Sequence, residues 1–301
     1  MNTHNMSVSR RIWQHRMAYL FVLPSLVLLI AFMLVPLIRT FQISLYRWDG
    51  LLSPVYVGFD NFQRLVGDKV FWMSLKNNLI FLVIVTGATV VLGFLFAVVI
   101  ERRFKGWKIY KFTFYVPAMI SMAVVGMLFQ KILEPSYGIL NSFLGFVGLE
   151  SLQSAWLGDP DLALYSVIAV TIWQYSGFTM LLFLSGVEGI SPEVHDAATI
   201  DGVTGVQRVT RIIFPLVKRL ALVITMLQII FSFKVFDIVY VMTRGGPGDA
   251  SQVLGTYLYK QAFSDYQFGY ASSIGFLMAI LVFGFTLVYL YFSKLSEQEA
   301  E

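Results

Sequence analysis

Six apolar runs constrain the fold of this chain more than any other feature of its sequence. They occupy residues 17–38, 79–100, 112–133, 162–184, 220–242 and 273–292. A helix of about 20 apolar residues crosses the roughly 30 Å hydrocarbon core of a bilayer. Each run is about twice as long as a strand of a membrane barrel, and several contain glycine, proline or polar residues, which favours helices. The sequence therefore predicts an all-α fold, a polytopic membrane bundle of six transmembrane helices.

The composition excludes a soluble domain of this length. Hydrophobic residues make up 57% of the chain and charged residues 13%, whereas soluble domains carry about a quarter charged residues. The first run is longer than the roughly 7 to 15 residues of a signal peptide, and no small-residue cleavage site follows it, so we expect it to be retained as a helix. The predicted organisation is a tail at residues 1–16, a transmembrane domain at 17–292 and a second tail at 293–301.

Lysine and arginine cluster on one side of the predicted bundle. The segment before the first run and the loops after the second and fourth runs are basic, whereas residues 134–161 contain no lysine or arginine. Because basic loops stay in the cytoplasm, both termini are predicted to be cytoplasmic. The net charge of +4 then reflects topology, and we see no case for nucleic acid binding. The basic residues are Arg10, Arg11, Arg16, Arg102, Arg103, Lys105, Lys108, Lys111, Arg208, Arg211, Lys218 and Arg219.

Signatures of catalysis are missing from the sequence. It contains no Gly-x-x-x-x-Gly-Lys-Ser/Thr segment, which would hold the phosphates of a nucleotide. Its three histidines, His4, His15 and His195, lack the paired spacing of metal ligands, and there is no cysteine for a disulfide or a thiolate site. The sequence therefore predicts that this chain is not an enzyme and holds no metal or cofactor of its own.

The loop at residues 185–215 has the local signals of two short helices joined at a bend. Residues 192–202 read PEVHDAATIDG, and residues 203–217 read VTGVQRVTRIIFPLV. Ser191 can cap the first helix, Pro192 suits its first position, and Gly202 is placed for a left-handed stop. Thr204 and Gln207 have the spacing of a capping box, which would start the second helix.

Within that second helix, Val206, Val209 and Ile213 recur at helical spacing, and Arg208 points away from them. This pattern predicts one apolar stripe. Pro215 is predicted to end the helix.

Polar residues interrupt the fourth and fifth runs, where hydrocarbon penalises them. The fourth run contains Gln174 and Tyr175, and in the fifth run Thr225, Gln228 and Ser232 share one helical stripe. Such groups beside aromatic rings would suit a sugar-like ligand, and they would equally suit hydrogen bonds between helices. The residues alone leave both interpretations open.

Lys234 and Asp237 lie one turn further along the fifth run. At this spacing on a helix they could form a neutralising pair at the outer end of the pathway. Snorkelling of each side chain to the interface is the alternative.

Several segments resemble the larger permease subunits of carbohydrate ABC importers, the class that includes the maltose and glycerol-3-phosphate permeases. The loop resembles the cytoplasmic EAA loop of that family. Residues 236–248, which read FDIVYVMTRGGPG, and residues 257–263, which read YLYKQAF, also match its pattern. One departure stands in the loop, where the Glu-Ala-Ala of the family is Asp196-Ala197-Ala198. Aspartate keeps the negative charge of glutamate on a shorter side chain.

The resemblance implies that the loop docks on an ATPase subunit and transmits its closure. The residues expected to couple to that subunit are Glu193, Asp196, Ala197, Ala198, Asp201, Gly202, Arg208 and Pro215. It also implies sugar contacts on the fourth and fifth spans. The residues expected to line the substrate pathway are Gln174, Tyr175, Gln228, Ser232, Lys234 and Asp237.

The resemblance further implies a set of partners in a bacterial or archaeal cytoplasmic (inner) membrane. These are a second permease subunit, two ATPase subunits that bind the ATP and Mg²⁺, an extracytoplasmic solute-binding protein, and the lipid bilayer. The transported solute is then a sugar or sugar-like molecule. The alternatives are a secondary transporter, for which only Lys234 and Asp237 are charged well inside a span, and a membrane scaffold subunit without transport.

Overall fold

The computed structural model describes residues 16–298. Most of the predicted first tail, including Arg10 and Arg11, lies outside the described residues, as do residues 299–301 at the end of the second tail. The helices are α1 (Arg16–Leu29), α2 (Val35–Ser44), α3 (Asp60–Gly67), α4 (Lys69–Glu101), α5 (Trp107–Met119), α6 (Met122–Ile132), α7 (Ile139–Phe146), α8 (Ala163–Glu188), α9 (Pro192–Ile200), α10 (Gly205–Gln207), α11 (Phe214–Phe233), α12 (Asp237–Met242), α13 (Leu254–Tyr259) and α14 (Phe268–Gln298).

The remaining regular elements are short. The two strands are β1 (Tyr46–Arg47) and β2 (Val55–Tyr56), which pair antiparallel. A 3₁₀ turn lies at Glu150–Leu152, and π-helical turns lie at Ile30–Leu34, Arg208–Ile213 and Lys260–Ser264. The predicted all-α fold class is confirmed.

The chain forms two compact units. The smaller one comprises residues 16–66 and 261–276. In it, the side-chain amide of Asn61 donates to the carbonyl oxygens of Ser44 and Tyr46, at 2.8 and 2.9 Å. These bonds tie α3 to the start of the hairpin.

The larger unit comprises residues 67–260 and 277–298. Helix α4 packs against α8 and α11, and α5 packs against α8. Gly93 permits the close approach of α4 to α8, because a Cβ atom there would lie 2.6 Å from Thr179 Cγ2. One core cluster lies around Phe81, and a second lies around Phe183 near the loop after α8.

Five described helices are long and apolar enough to cross a membrane, and a bent pair gives a sixth candidate. The run at 112–133 was expected to be one helix, and this expectation is wrong, since α5 and α6 meet at an angle of 99°. Ile120 is extended, and Ser121 caps α6 by accepting the Val124 N–H at 3.5 Å. Gln174 of α8 donates to the Ile120 carbonyl at 2.8 Å. The bend therefore has a capped helix start and a partner for its exposed carbonyl.

The fifth run also breaks before its predicted end. Helix α11 ends at Phe233, Phe236 leaves the helical conformation, and α12 begins at Asp237. At the break, Gly255 of α13 comes so close that a Cβ atom on it would lie 2.8 Å from the Val235 carbonyl oxygen. The backbone of α13 thus packs directly against the break between α11 and α12.

Pro215 does not end the helix that contains it, which corrects the sequence expectation. The π-helical turn Arg208–Ile213 precedes it, and the Phe214 N–H donates to Val209, five residues back. The same arrangement precedes Pro36, where the Val35 N–H donates to Ile30. A π turn shifts the hydrogen-bond pattern and so accommodates the missing N–H and the ring of the following proline.

Candidate functional site

The loop between α8 and α11 folds as two helical segments around a bend, as predicted. Helix α9 ends at Ile200, and Gly202 has a φ of +66°. Thr204 and Gln207 then form the capping box. The Thr204 N–H donates to Gln207 Oε1 at 3.0 Å, and the Gln207 N–H donates to Thr204 Oγ1 at 3.4 Å. The left-handed glycine and the capping box together set the angle between the two segments.

The start of α9 differs in one detail from the expectation. Ser191 occupies the N-cap position with an extended backbone, but its side chain does not accept an N–H of the first turn. The pKa of Glu193 is lowered, first by a hydrogen bond from its own backbone N–H and then by the Ser191 hydroxyl. The Glu193 carboxylate is therefore ionised at the positive end of α9, where a negative charge is favourable.

The EAA-like residues divide between the surface and the protein interior. Asp196, Ala197 and Asp201 are exposed, whereas Ala198 is buried. The small side chain of Ala198 therefore lets α9 pack closely against other parts of the protein. The carboxylates face outward and are available to a partner.

Two large apolar side chains project from the loop into solvent. Ile200 is 86% exposed and Val206 is 74% exposed. The expected stripe of Val206, Val209 and Ile213 is therefore only partly correct, because Ile213 is buried and Val209 is half-buried, while Val206 points outward. Ile200 and Val206, with the neighbouring carboxylates, are candidate contacts for a partner protein.

An ion pair joins the loop to the end of α4. Arg208 Nη2 lies 3.1 Å from Glu101 Oε1, and the two side chains are 32% and 15% exposed. Sequence reasoning placed Arg208 in the loop but missed Glu101. Glu101 is the acidic first residue of the basic segment 101–111. Its charge, opposite to that of the residues after it, was the sequence feature that could have indicated a basic partner. Arg102 lies beside Gly205, and both border a cavity of 380 Å³.

The predicted pathway residues of α8 and α11 lie mostly inside the bundle. Gln228 is buried, and its Nε2 donates to Thr179 Oγ1 at 2.8 Å. Gln174 is buried at the α5–α6 bend. Ser232 is buried, and its carbonyl accepts from Asn78 Nδ2 at 3.1 Å. These contacts are hydrogen bonds between helices, and a role in substrate binding stays a prediction.

Tyr175 is the half-buried member of the predicted pathway set. Its ring lies 4.3 Å from that of Phe231, measured between centroids. Lys234 and Asp237 are exposed on either side of the helix break, so they do not share one helix as expected. Among the described residues, no ion pair joins these two.

Comparison with known proteins agrees with the loop and the bundle. Residues 89–300 match the family described as the inner membrane component of binding-protein-dependent transport systems. The probable ABC transporter permease YurN of Bacillus subtilis is 36% identical over 285 residues, which cover 93% of this chain and 97% of that protein. The trehalose/maltose transport system permease MalF of Thermococcus litoralis is 31% identical over 292 residues, which cover 95% and 97%.

Solved structures show the same fold. A chain of a bacterial alginate ABC transporter, crystallised with an alginate pentasaccharide-bound periplasmic protein, superposes with a TM-score of 0.82 at 24% identity. The match covers 95% of this chain and 96% of that chain. The similarity therefore extends over nearly the full length of both.

Proposed function

Because this chain belongs to the family of inner membrane components of binding-protein-dependent transport systems, and is thus an ABC importer permease, we propose that it forms a solute pathway with a second permease subunit. The solute is a sugar or sugar-like molecule. Two separate ATPase subunits drive transport, and a solute-binding protein delivers the solute from outside the cytoplasmic membrane. The ATP and Mg²⁺ belong to the ATPase subunits.

The observation that carries this proposal is the bent loop with its outward-facing side chains. Ile200 and Val206 offer apolar surface, and Asp196 and Asp201 offer charge, on a segment whose angle is set by Gly202. A cleft of an ATPase subunit would bury the two aliphatic side chains and meet the carboxylates with basic groups. The ends of α8 and α11 continue directly from this loop, so movement of the ATPase reaches the membrane helices.

Coupling requires that ATP favour one of two arrangements of the permease. The ion pair between Arg208 and Glu101 connects the loop to α4. The chain itself connects the loop to α8 and α11. A displacement of α9 by the ATPase is thereby shared among α4, α8 and α11. In this proposal, these helices move together and expose the pathway alternately to the two sides of the membrane.

The amide and aromatic side chains near the middle of the bundle suit a sugar as the solute. Hydroxyl groups need donors and acceptors, and the apolar face of a sugar ring packs on aromatic side chains. Tyr175 and Phe231 supply rings on α8 and α11. The amides of Gln174 and Gln228, on the same two helices, bond to Ile120 and Thr179 in this structure, so they would reach a solute only after the helices move apart. The relatives include permeases named for trehalose/maltose and for lactose, which supports this solute class.

Reconstitution tests the proposal. The chain is co-expressed with its partner permease, ATPase subunits and binding protein, and uptake of radiolabelled maltose, trehalose and lactose into proteoliposomes is measured. Uptake is expected only with ATP and the binding protein together. A non-hydrolysable ATP analogue is the matched control. Uptake that follows a proton gradient without ATP would instead identify a secondary transporter, and a stable complex with no uptake of any solute would favour a scaffold.

A further inference from the structure

The basic segment 101–111 runs from the last residue of α4 into α5, and most of its positive charge has no acidic partner among the described residues. Its one acid, Glu101, pairs with Arg208 of the loop at residues 185–215, the coupling loop of the proposed function. Across the described residues, no carboxylate forms an ion pair with the five cations that follow, and all five lie within ten positions. They are Arg102, Arg103, Lys105, Lys108 and Lys111.

Three of these cations surround one indole ring. Lys108 Nζ, Lys111 Nζ and Arg103 Cζ lie 5.8, 5.9 and 5.8 Å from the ring centroid of Trp107. Tryptophan is enriched at the interface between water and lipid, where its ring is apolar and its N–H is polar. Trp107 at the first position of α5 therefore marks the level of the lipid headgroups.

An apolar groove begins at this tryptophan and runs along α5. It has a volume of 430 Å³ and is lined by Trp107, Lys108, Lys111, Phe112, Tyr115 and Leu181. The two lysines lie toward one end, because Tyr115 is seven residues beyond Lys108 and four beyond Lys111, or about 10.5 and 6 Å at 1.5 Å per residue. The groove thus combines a cationic end with aromatic and aliphatic walls.

The cationic end lies on the same side of the bundle as the coupling loop. The Glu101–Arg208 ion pair holds the start of the basic segment against that loop, and Arg102 lies beside Gly205. We propose that this groove is a binding site for one anionic phospholipid of the cytoplasmic leaflet. Its phosphate contacts Lys108 and Lys111, and an acyl chain lies along Phe112, Tyr115 and Leu181.

A phospholipid accounts for both ends of the groove. A free phosphate would use the two lysines and leave the apolar walls uncovered. An apolar helix of a partner would cover the walls and leave the lysines without counter-charge. Basic pockets between helices on the cytoplasmic side are the expected place for anionic headgroups.

Native mass spectrometry of the assembled transporter tests this site without depending on transport. The complex is purified from nanodiscs of phosphatidylcholine with phosphatidylglycerol, and retained lipids are counted. Each surface cation strengthens binding to anionic lipid by about fivefold, so Lys108→Gln with Lys111→Gln should lower phosphatidylglycerol affinity by roughly 25-fold. The matched control is Lys69→Gln with Lys76→Gln, which removes two exposed lysines near the opposite end of α4 and should retain the lipid.

A second variant tests the groove while keeping both lysines. Leu181→Trp fills the apolar part and is expected to reduce retained phosphatidylglycerol, with complex assembly checked by gel filtration. Inorganic phosphate added at the same concentration should displace none of the lipid. The proposal is overturned if the wild-type complex retains no phosphatidylglycerol, or if the lysine variant and its control retain equal amounts.

Discussion

At the scale of single residues, the ion pair between Glu101 and Arg208 is a contact that the sequence analysis missed. It joins a transmembrane helix to the loop that we propose as the docking site of the ATPase. Because both side chains are partly exposed, the pair contributes only about 0.2–1 kcal/mol to stability. In the proposed function, its importance lies in transmitting movement from the loop to α4.

Reversal of either charge should therefore lower coupling more than it lowers stability. Glu101→Arg is expected to reduce binding-protein-stimulated ATP hydrolysis and uptake several-fold, because it places a third positive group beside Arg102 and Arg208. Arg208→Glu should do the same, and the double reversal should restore most of the activity. Proteoliposome assays measure both. No recovery in the double variant would show that the two residues act independently.

A second question at this scale is whether Gln228 contacts the solute or only joins two helices. Its hydrogen bond to Thr179 is consistent with a role in helix packing. A double-mutant cycle with Gln228→Leu and Thr179→Val measures that bond, and we expect a coupling energy of about 0.6 kcal/mol, typical of hydrogen bonds between membrane helices. If Gln228 also contacts solute, Gln228→Leu lowers uptake more than Thr179→Val does, at equal expression. Equal uptake in both variants would limit Gln228 to packing.

At the scale of elements, the bend of the coupling loop depends on the left-handed conformation of Gly202. A β-branched residue is strained at a φ of +66°, with a cost of about 1–2 kcal/mol for a left-handed conformation. Gly202→Val should therefore misalign α9 and α10, lower uptake and weaken co-purification of the ATPase, while membrane insertion persists. Gly202→Asn is the matched control, because asparagine tolerates this conformation.

Gly202 has open space around it, which simplifies the comparison of the valine and asparagine variants. Among the described residues, no atom beyond the two chain neighbours of Gly202 lies within 4 Å of a Cβ atom built there, so the valine and asparagine variants differ in backbone preference rather than in contact with other parts of the protein. Wild-type uptake by Gly202→Val would show that the bend is not needed for coupling.

Other elements show where local patterns were insufficient. The capping box and the glycine stop were predictable, because they involve neighbours in sequence. The bend between α5 and α6 has a local cap at Ser121, but its other polar contact comes from Gln174, which is 54 residues away from Ile120. The continuation through Pro215 depends on a π turn, which the apolar pattern does not reveal.

At the scale of the whole molecule, the distribution of basic residues predicts which loops face the cytoplasm. The chain contains no cysteine, so single cysteines can report on each side without background. Phe146→Cys, at an 89% exposed position between α6 and α8, should react with a membrane-impermeant maleimide added to intact spheroplasts. Lys105→Cys, in the basic segment, should react only after the membrane is opened.

The reverse labelling pattern would place the coupling loop outside and remove its access to cytoplasmic ATPase subunits. Labelling of both positions in intact spheroplasts would indicate mixed insertion. Protein expression and membrane content of each variant are the necessary controls, since both substitutions lie on exposed surface and should leave stability nearly unchanged.

The sequence by itself determined the all-α fold class, the approximate positions of the spans and the bent loop. These features follow from apolar length and local capping residues, both of which are read from neighbouring residues in the chain. Only the tertiary structure decided that one span bends by 99°, that another ends at Phe233, and that Gln228 bonds to Thr179. The reason is physical: a buried carbonyl or amide is satisfied by whichever group packing brings near it, and packing joins residues far apart in the chain.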